Sequence, residues 1–421
     1  MRSWCPLVAL LPLVSLVAPP LAADQVRLPW SGQEQCFDVA GAAIACAGSG
    51  QDGELRPGVA WPSPRFTRIY CHGTGICPTQ TGDCDADGGN DLMRDGLTGL
   101  EWPRDPTRAG AANWTGALAA ADAFGLCGFA DFRLPNILEL MSLVRYEETP
   151  NTPSATSPAS WLALQGFAAP PAMSWSSTTY VFNPAIAPVA DFYEGDDAGE
   201  FKSASLAVWP VRGVSDGPAQ LWRTGASLCW DGDGNPRDCN PGGNGTGEDG
   251  YLRTGALWPS PRFLDNGDGT ARDLLTGLVW LRDTDCLGTG GWDLALARVA
   301  AFRADPAPFA CTGYLPRGRA WRLPSIVELR SLVDRSRSGP AFPAGHPFLD
   351  MPLYVSYWSS TSATLTLSTV NARVLFNANG VSGGNVKGST NGIWPVAGDS
   401  AGLLADPLES GFLAAWTYVW P

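Results

Sequence analysis

The residues best suited to chemistry in this chain are its cysteines, because a thiol can form a disulfide, ligate a metal or act as a nucleophile. Eleven cysteines occur in 421 residues; one lies in an N-terminal leader, and the others are Cys36, Cys46, Cys71, Cys77, Cys84, Cys127, Cys229, Cys239, Cys286 and Cys311. An even number in an exported chain favours disulfides. Two pairs lie ten residues apart across turn-rich segments, so hairpins should join Cys36 to Cys46 and Cys229 to Cys239.

The remaining cysteines lie near the first predicted helix of each half of the chain. In the second half only two are left, and in the first half three lie in an insertion. In the second half we expect the pair Cys286–Cys311. In the first half one of Cys71, Cys77 and Cys84 should bond to Cys127; we favour Cys84, which leaves Cys71 to pair with Cys77.

A cluster of carboxylates begins at Asp83. Asp83, Asp85 and Asp87 alternate as they do at the start of a calcium loop, but the twelfth position, where an EF-hand needs a bidentate Glu, is Arg94. The segment is therefore not an EF-hand. Either these three residues form a looser calcium site, or they form an acidic solvated turn joined to Cys84. Apart from this possible calcium, the sequence suggests no cofactor.

Catalytic residues of other kinds are scarce. Only His72 and His346 are present, at unrelated positions, so a His-based triad or a zinc site has almost nothing to be built from. Glu139 and Glu328 could act as acids or bases. However, each follows a polar residue by three positions, the spacing of a helix capping box, which favours a structural role. We therefore assign no catalytic residue and expect no enzyme.

These glutamates lie in two copies of one stretch, residues 132–144 and 321–333, where Arg-Leu-Pro enters a predicted helix. A first helix precedes each copy. Trp114, Leu118, Ala121 and Phe124 share one face of it, and the second copy has the same spacing in Trp292, Leu296, Val299 and Phe302. Short predicted strands carry further tryptophans at matching positions. Because these aromatic residues repeat, we interpret them as core residues.

The order of these landmarks predicts a tandem duplication. Residues 1–23 have the charged, apolar and small-residue regions of a signal peptide. We place the first repeat unit at 24–214, the second at 215–398 and a tail at 399–421, and we expect the two units to fold separately. Pro- and Ser-rich stretches at 149–160 and 336–347 should be long surface loops.

Composition restricts the partners. Hydrophobic residues make up 45% of the chain, which is enough for packed cores. Without the leader, 27 basic and 41 acidic residues remain, a formal charge of −14. Nucleic acid is a poor partner for such a surface. After the leader we find no stretch of about 20 apolar residues that could span a membrane.

Four motifs of the second unit carry a family resemblance: Arg262–Thr270, Leu275–Trp280, Trp321–Pro324 with Glu328, and Tyr357–Thr361. They resemble the bacterial family named after the C-terminal domain of a collagen-like adhesin (Lcl), long a domain of unknown function. The first unit carries most of the pattern, but a cysteine-rich insertion replaces Asp265–Gly269. The adhesin is associated with sulfated glycans, and a charge of −14 disfavours that ligand here.

A more distant resemblance is to the formylglycine-generating enzyme and C-type-lectin-like superfamily. It implies an α+β fold of two tandem, disulfide-stapled units, each with two helices against short, loop-rich antiparallel strands.

The function we expect is an exported, adhesin-like binding module of the periplasm, cell surface or extracellular space that recognises a glycan, an envelope component or a surface protein through variable loops. The alternatives are an enzyme like the formylglycine-generating enzyme, which would need paired free thiols, and a structural domain without a ligand. The oligomeric state stays open.

Overall fold

A computed structural model describes residues 25–72, 75–76, 91–147, 157–363 and 369–398. The fold is α+β, as predicted. The predicted signal peptide, Cys77, Cys84, the carboxylates at 83–87 and the predicted tail lie outside the described residues. No helix in the described ranges is long and apolar enough to cross a membrane.

Strands of the first repeat are short and separated by turns. They are β1 (Cys36–Phe37), β2 (Ala43–Ile44), β3 (Phe66–Ile69), β4 (Cys71–His72), β5 (Gly75–Ile76), β6 (Leu92–Asp95), β7 (Glu101–Pro103), β8 (Ala111–Ala112), β9 (Met173–Trp175), β10 (Ile186–Asp191), β11 (Asp196–Phe201) and β12 (Leu206–Ala207). The helices of this repeat are α1 (Asp52–Leu55), α2 (Trp114–Asp122), α3 (Ile137–Met141) and α4 (Pro158–Leu164), with a 3-10 turn at Pro106–Ala109.

The second repeat has nearly the same element order. Its strands are β13 (Cys229–Trp230), β14 (Pro236–Arg237), β15 (Phe263–Asp265), β16 (Thr270–Asp273), β17 (Val279–Leu281), β18 (Thr289–Gly290), β19 (Ser356–Ala363), β20 (Asn371–Phe376), β21 (Ser382–Val386), β22 (Asn391–Gly392) and β23 (Val396–Ala397). Its helices are α5 (Asp249–Leu252), α6 (Trp292–Ala304) and α7 (Ile326–Ser331). Helix α4 begins inside the first predicted loop, whereas residues 336–347 are irregular, as expected.

Sheet topology repeats as well. One five-stranded sheet has the order β11-β10-β9-β12-β8, and its counterpart has the order β21-β20-β19-β22-β18. Both are antiparallel except for one parallel pairing, between β12 and β9 and between β22 and β19. A smaller sheet is β3-β6-β7 in the first repeat and β15-β16-β17-β23 in the second. The matching order shows that the tandem copies share one topology.

The predicted helix caps form, because they depend only on residues that are close in the sequence. Asn136 and Ser325 cap α3 and α7, and each helix has the reciprocal bonds of a capping box with Glu139 or Glu328. The expected strand at 97–102 is shorter than predicted. Its first residues form a turn in which the Thr98 hydroxyl donates to Asp95 at 2.9 Å, and β7 starts at Glu101.

Four disulfides join the described cysteines. Three were predicted: Cys36–Cys46, Cys229–Cys239 and Cys286–Cys311. The predicted pairings of Cys84 with Cys127 and of Cys71 with Cys77 are wrong, because Cys71 is bonded to Cys127. Cys71 follows β3 and packs in one apolar cluster with Leu126 and Cys127 beyond the end of α2, where the Cα atoms of the two cysteines lie 5.2 Å apart.

The expectation that the units have separate interiors is wrong. A single apolar cluster contains Trp102 and Trp209 of the first repeat together with Trp280 and Trp394 of the second. The interior is shared because the N-terminal part of each repeat contributes apolar residues to this cluster. We call residues 26–59 the first lobe and residues 219–256 the second lobe, and we call the remainder of each repeat its body.

Each lobe contacts both bodies. Gln33 of the first lobe donates to the carbonyl oxygens of Tyr146 and Ser362. In the second lobe, the Asp249 N–H donates to Ser177 and the Thr224 carbonyl accepts the N–H of Arg335. The boundaries at 24–214 and 215–398 stay sequence predictions.

Candidate functional site

A buried lysine from each body holds the lobe of the other repeat. Lys387 donates to the carbonyl oxygens of Phe37 (3.4 Å) and Asp38 (2.9 Å) in the first lobe, and it lies 4.3 Å from the Trp292 ring. Lys202 donates in the same way to the second lobe, at Trp230 (3.3 Å) and Asp231 (3.1 Å). Burial lowers the pKa of Lys387 to about 8 and that of Lys202 to about 7.

A buried aspartate of each lobe bonds to the opposite body. Asp249 accepts hydrogen bonds from Thr178 at 2.8 Å and from Thr224 at 2.7 Å. Thr178 in turn accepts the backbone N–H of Ile137 at the start of α3. Asp52 makes the equivalent bond with Thr361, and burial raises the pKa of each aspartate to about 6. The repeated Trp-Ser-Ser-Thr motif is therefore an attachment point between repeats.

Several charged residues that occupy matching positions in the two repeats have structural roles. Arg65 makes a bidentate contact with Asp95 at 3.0 and 2.8 Å, and Arg262 does the same with Asp273. Both arginines also donate to a backbone carbonyl at the C-terminal end of a helix, Ser142 at the end of α3 and Ser331 at the end of α7. The capping carboxylate of Glu139 is bound by Arg133 at 2.6 Å. These groups are therefore engaged in the scaffold.

A groove of about 590 Å³ opens where the first lobe meets the second body. One wall is the β1–β2 hairpin, which presents Val39 and Ile44, 46% and 42% exposed. The other wall is α6, with Leu296 and Ala300. Trp292 forms part of the floor and is buried. Both repeats contribute residues to this site, so it depends on the interleaved arrangement, in which each lobe packs against the body of the other repeat.

A second concavity of about 200 Å³ lies in the first repeat beside α4. It is lined by Trp30, Trp61 and Trp161, with Arg145 and Gln165 among its polar residues. The Trp61 and Trp161 rings are 5.2 Å apart, and the Arg65 guanidinium lies 4.3 Å from the Trp61 ring. The aromatic surfaces are therefore largely covered by one another.

The predicted site residues do not meet in one place. The eight described cysteines form disulfides in both lobes and beside α2 and α6. Asp83, Asp85 and Asp87 are outside the described residues, and within the described ranges no three His, Cys, Asp or Glu side chains form a group that could hold a metal ion. His346 stacks on Phe348, and burial lowers its pKa.

Sequence reasoning missed the residues that hold the lobes. A signal was present, because Gln51-Asp52-Gly53 matches Glu248-Asp249-Gly250 in both halves. Lys202 and Lys387 likewise follow corresponding strands, β11 and β21. Single buried charges at matching positions of two copies indicate a shared structural contact.

The fold and these contacts define a class: a duplicated, disulfide-braced α+β scaffold whose two copies exchange contacts through their lobes. The model of one protein family, the Lcl C-terminal domain, matches residues 91–212 and 269–397, which together exceed half of the chain. The chain belongs to the Lcl C-terminal domain family. The matched segments coincide with parts of the two bodies, which confirms the predicted tandem copies. No curated protein and no solved structure matches the chain, so the lectin-like and enzyme-like resemblances stay predictions.

Proposed function

We propose that this chain is an exported, non-enzymatic binding module that recognises a component of the cell envelope or surface through the groove between the first lobe and α6. The observation that carries the proposal is the groove itself. Exposed branched side chains of the lobe face a helix of the other repeat across a concavity of about 590 Å³. This volume lies within the range of about 300–1,000 Å³ usual for ligand sites.

Export is supported by the disulfides. Four are present among the described residues, and disulfides persist in oxidising compartments. The signal-like residues 1–23 agree with this assignment.

The absence of an enzymatic role is supported by how the buried charges are used. Glu139 and Glu328 cap helices and bind arginines, and Asp52 and Asp249 join the lobes to the bodies. An oxidase-like enzyme would need reactive thiols, and the described cysteines are bonded to one another. The possible calcium site at 83–87 is a separate proposal, which binding assays with and without a chelator would address.

Binding to fractionated envelope components and to a glycan array tests the proposal. Ile44→Arg replaces an apolar wall residue by the type found at the matching position of the second lobe, Arg237. It should reduce binding at least tenfold. Leu257→Arg is the matched control, because Leu257 is 69% exposed and lies outside the groove lining. Undiminished binding by Ile44→Arg, or no binding by the unmodified chain in either assay, would overturn the proposal.

A further inference from the structure

The groove has apolar side chains on both walls and charged side chains at both ends of α6. Val39, Ile44 and Leu55 of the first lobe face Leu296 and Ala297 of α6. Branched and aliphatic side chains on both walls suit a partner that also presents apolar side chains.

Opposite charges mark the two ends of the groove. Asp38 and Asp293 lie at the start of α6, because Lys387 contacts both the Asp38 carbonyl and the Trp292 ring. Arg303 lies ten residues further along the same helix, which at about 1.5 Å per residue is roughly 15 Å away. Asp293 and Arg303 are both exposed.

A third carboxylate adds to the acidic character. Glu54 accepts the backbone N–H groups of Gly48 at 2.6 Å and Gly50 at 2.7 Å. Burial raises the pKa of Glu54, but these donors outweigh it and lower the pKa overall, so the carboxylate is charged. The other lining arginine, Arg322, is already paired with Glu328 at 2.6 Å. The lining therefore carries three carboxylates, those of Asp38, Glu54 and Asp293, and one arginine, Arg303, that makes no ion pair with the described residues.

The second lobe lacks this chemistry, although its backbone is equivalent. The positions of Val39 and Ile44 are occupied there by Gly232 and Arg237. The facing helix, α2, has nine residues against thirteen in α6. The apolar, charge-terminated groove is thus a property of one lobe, while the contacts that hold the lobes are common to both.

We infer that the groove binds an extended peptide segment of a protein partner: about five mainly apolar residues, with Lys or Arg at the Asp38–Asp293 end and a carboxylate at the Arg303 end. A strand rises about 3.3 Å per residue, so four or five residues span roughly 15 Å. The charge pattern fixes the direction of the peptide, because the reversed peptide would place like charges together. This inference rests on the proposed function and names the ligand class of the same groove.

The test selects a phage-displayed random heptapeptide library on the intact protein. Enriched peptides should carry an apolar run with a basic residue at one end and an acidic residue at the other, and their synthetic copies should bind Ile44→Arg at least tenfold more weakly. Leu257→Arg should bind them unchanged. The exchange variant Asp293→Arg with Arg303→Glu should invert the preferred order of charges. A cooperative thermal unfolding transition, followed by circular dichroism, would show that each variant is folded.

Three results would overturn the inference. They are a selection that enriches no peptide, enriched peptides without a charged end, and peptides whose binding is unchanged by Ile44→Arg and by the charge exchange. The proposed function fails separately. If envelope or glycan binding depends on Ile44 while no peptide is selected, the groove is a binding site and its ligand is not an extended peptide.

Discussion

Glu248 occupies in the second lobe the place that Gln51 occupies in the first. Gln51 accepts the Phe37 N–H and donates to the Phe37 carbonyl, both at 2.9 Å. Glu248 accepts the matching Trp230 N–H at 2.8 Å, and its other oxygen has no hydrogen-bond partner among the described residues, with Arg237 at 3.5 Å. A carboxylate cannot donate, so only the protonated acid reproduces both bonds of Gln51.

This comparison predicts a pH effect at one residue. Burial raises the pKa of Glu248 from 4.5 to about 7, against the opposing influence of Trp230, Lys202 and Arg237. Between pH 4.5 and 7 the folded state holds a proton that the unfolded state has lost, so the free energy of unfolding falls as the pH rises. Glu248→Gln should reduce this fall by about 2 kcal/mol, measured by urea unfolding at pH 5 and 7.5.

The first lobe supplies the control. Gln51→Glu should add a fall of the same sign over the same pH range, because it creates the second lobe's carboxyl in an equivalent place. Asp52 and Asp249 contribute to the unmodified protein's pH dependence, since burial raises their pKa values to about 6, and both variants retain them. An unchanged pH profile in Glu248→Gln would mean that this carboxyl is ionised throughout the range.

For single residues, the spacing along the chain predicted the local contacts correctly. It did not predict contacts between residues that are far apart in the sequence. The capping roles of Glu139 and Glu328 follow from residues three positions away, and the structure confirms them. The partners of Asp52 and Lys387 lie more than 300 residues away in the chain. The matching positions of these residues in the two halves indicate a shared contact, but they do not show which distant residue makes it.

Among the elements, α6 matters most, because it forms one wall of the groove. Cys286 precedes this helix and Cys311 follows it, so their disulfide closes a loop of 25 residues around it. Chain entropy assigns such a loop a stabilisation of about 3.5 kcal/mol. Replacing both cysteines by alanine should lower the free energy of unfolding by about that amount and weaken any binding that depends on Ile44.

The Cys229–Cys239 pair provides the comparison, since it closes a loop of ten residues in the other lobe. Its replacement should cost about 2.7 kcal/mol and leave groove binding intact. Urea unfolding measures both losses. Greater loss of groove binding from Cys229–Cys239 than from Cys286–Cys311 would show that the disulfide around α6 does not support the wall.

Across the whole molecule, the sequence predicted the duplication but not the interleaving. Repeated motifs show which elements each copy contains. The same motifs would occur whether the two units fold separately or each packs against the lobe of the other. The exchange becomes visible only in contacts such as Gln33 of the first lobe with Ser362 of the second body, at 2.9 Å. Ion pairs between the bodies, including Arg335 with Asp197 and Arg373 with Asp196, add to the shared interface.

Interleaving makes a prediction about the two predicted units taken alone. Residues 24–214 without the rest would expose the apolar face of the first lobe and leave Asp52 without Thr361, and residues 215–398 would lose the matching contacts of Asp249. Neither piece should unfold cooperatively, because burial lost from the common cluster is not replaced. Mixing or co-expressing the two should restore a single transition, followed by circular dichroism and by dispersion of amide resonances. Cooperative unfolding of both pieces at the melting temperature of the intact chain would show that each repeat is stable without the other's lobe.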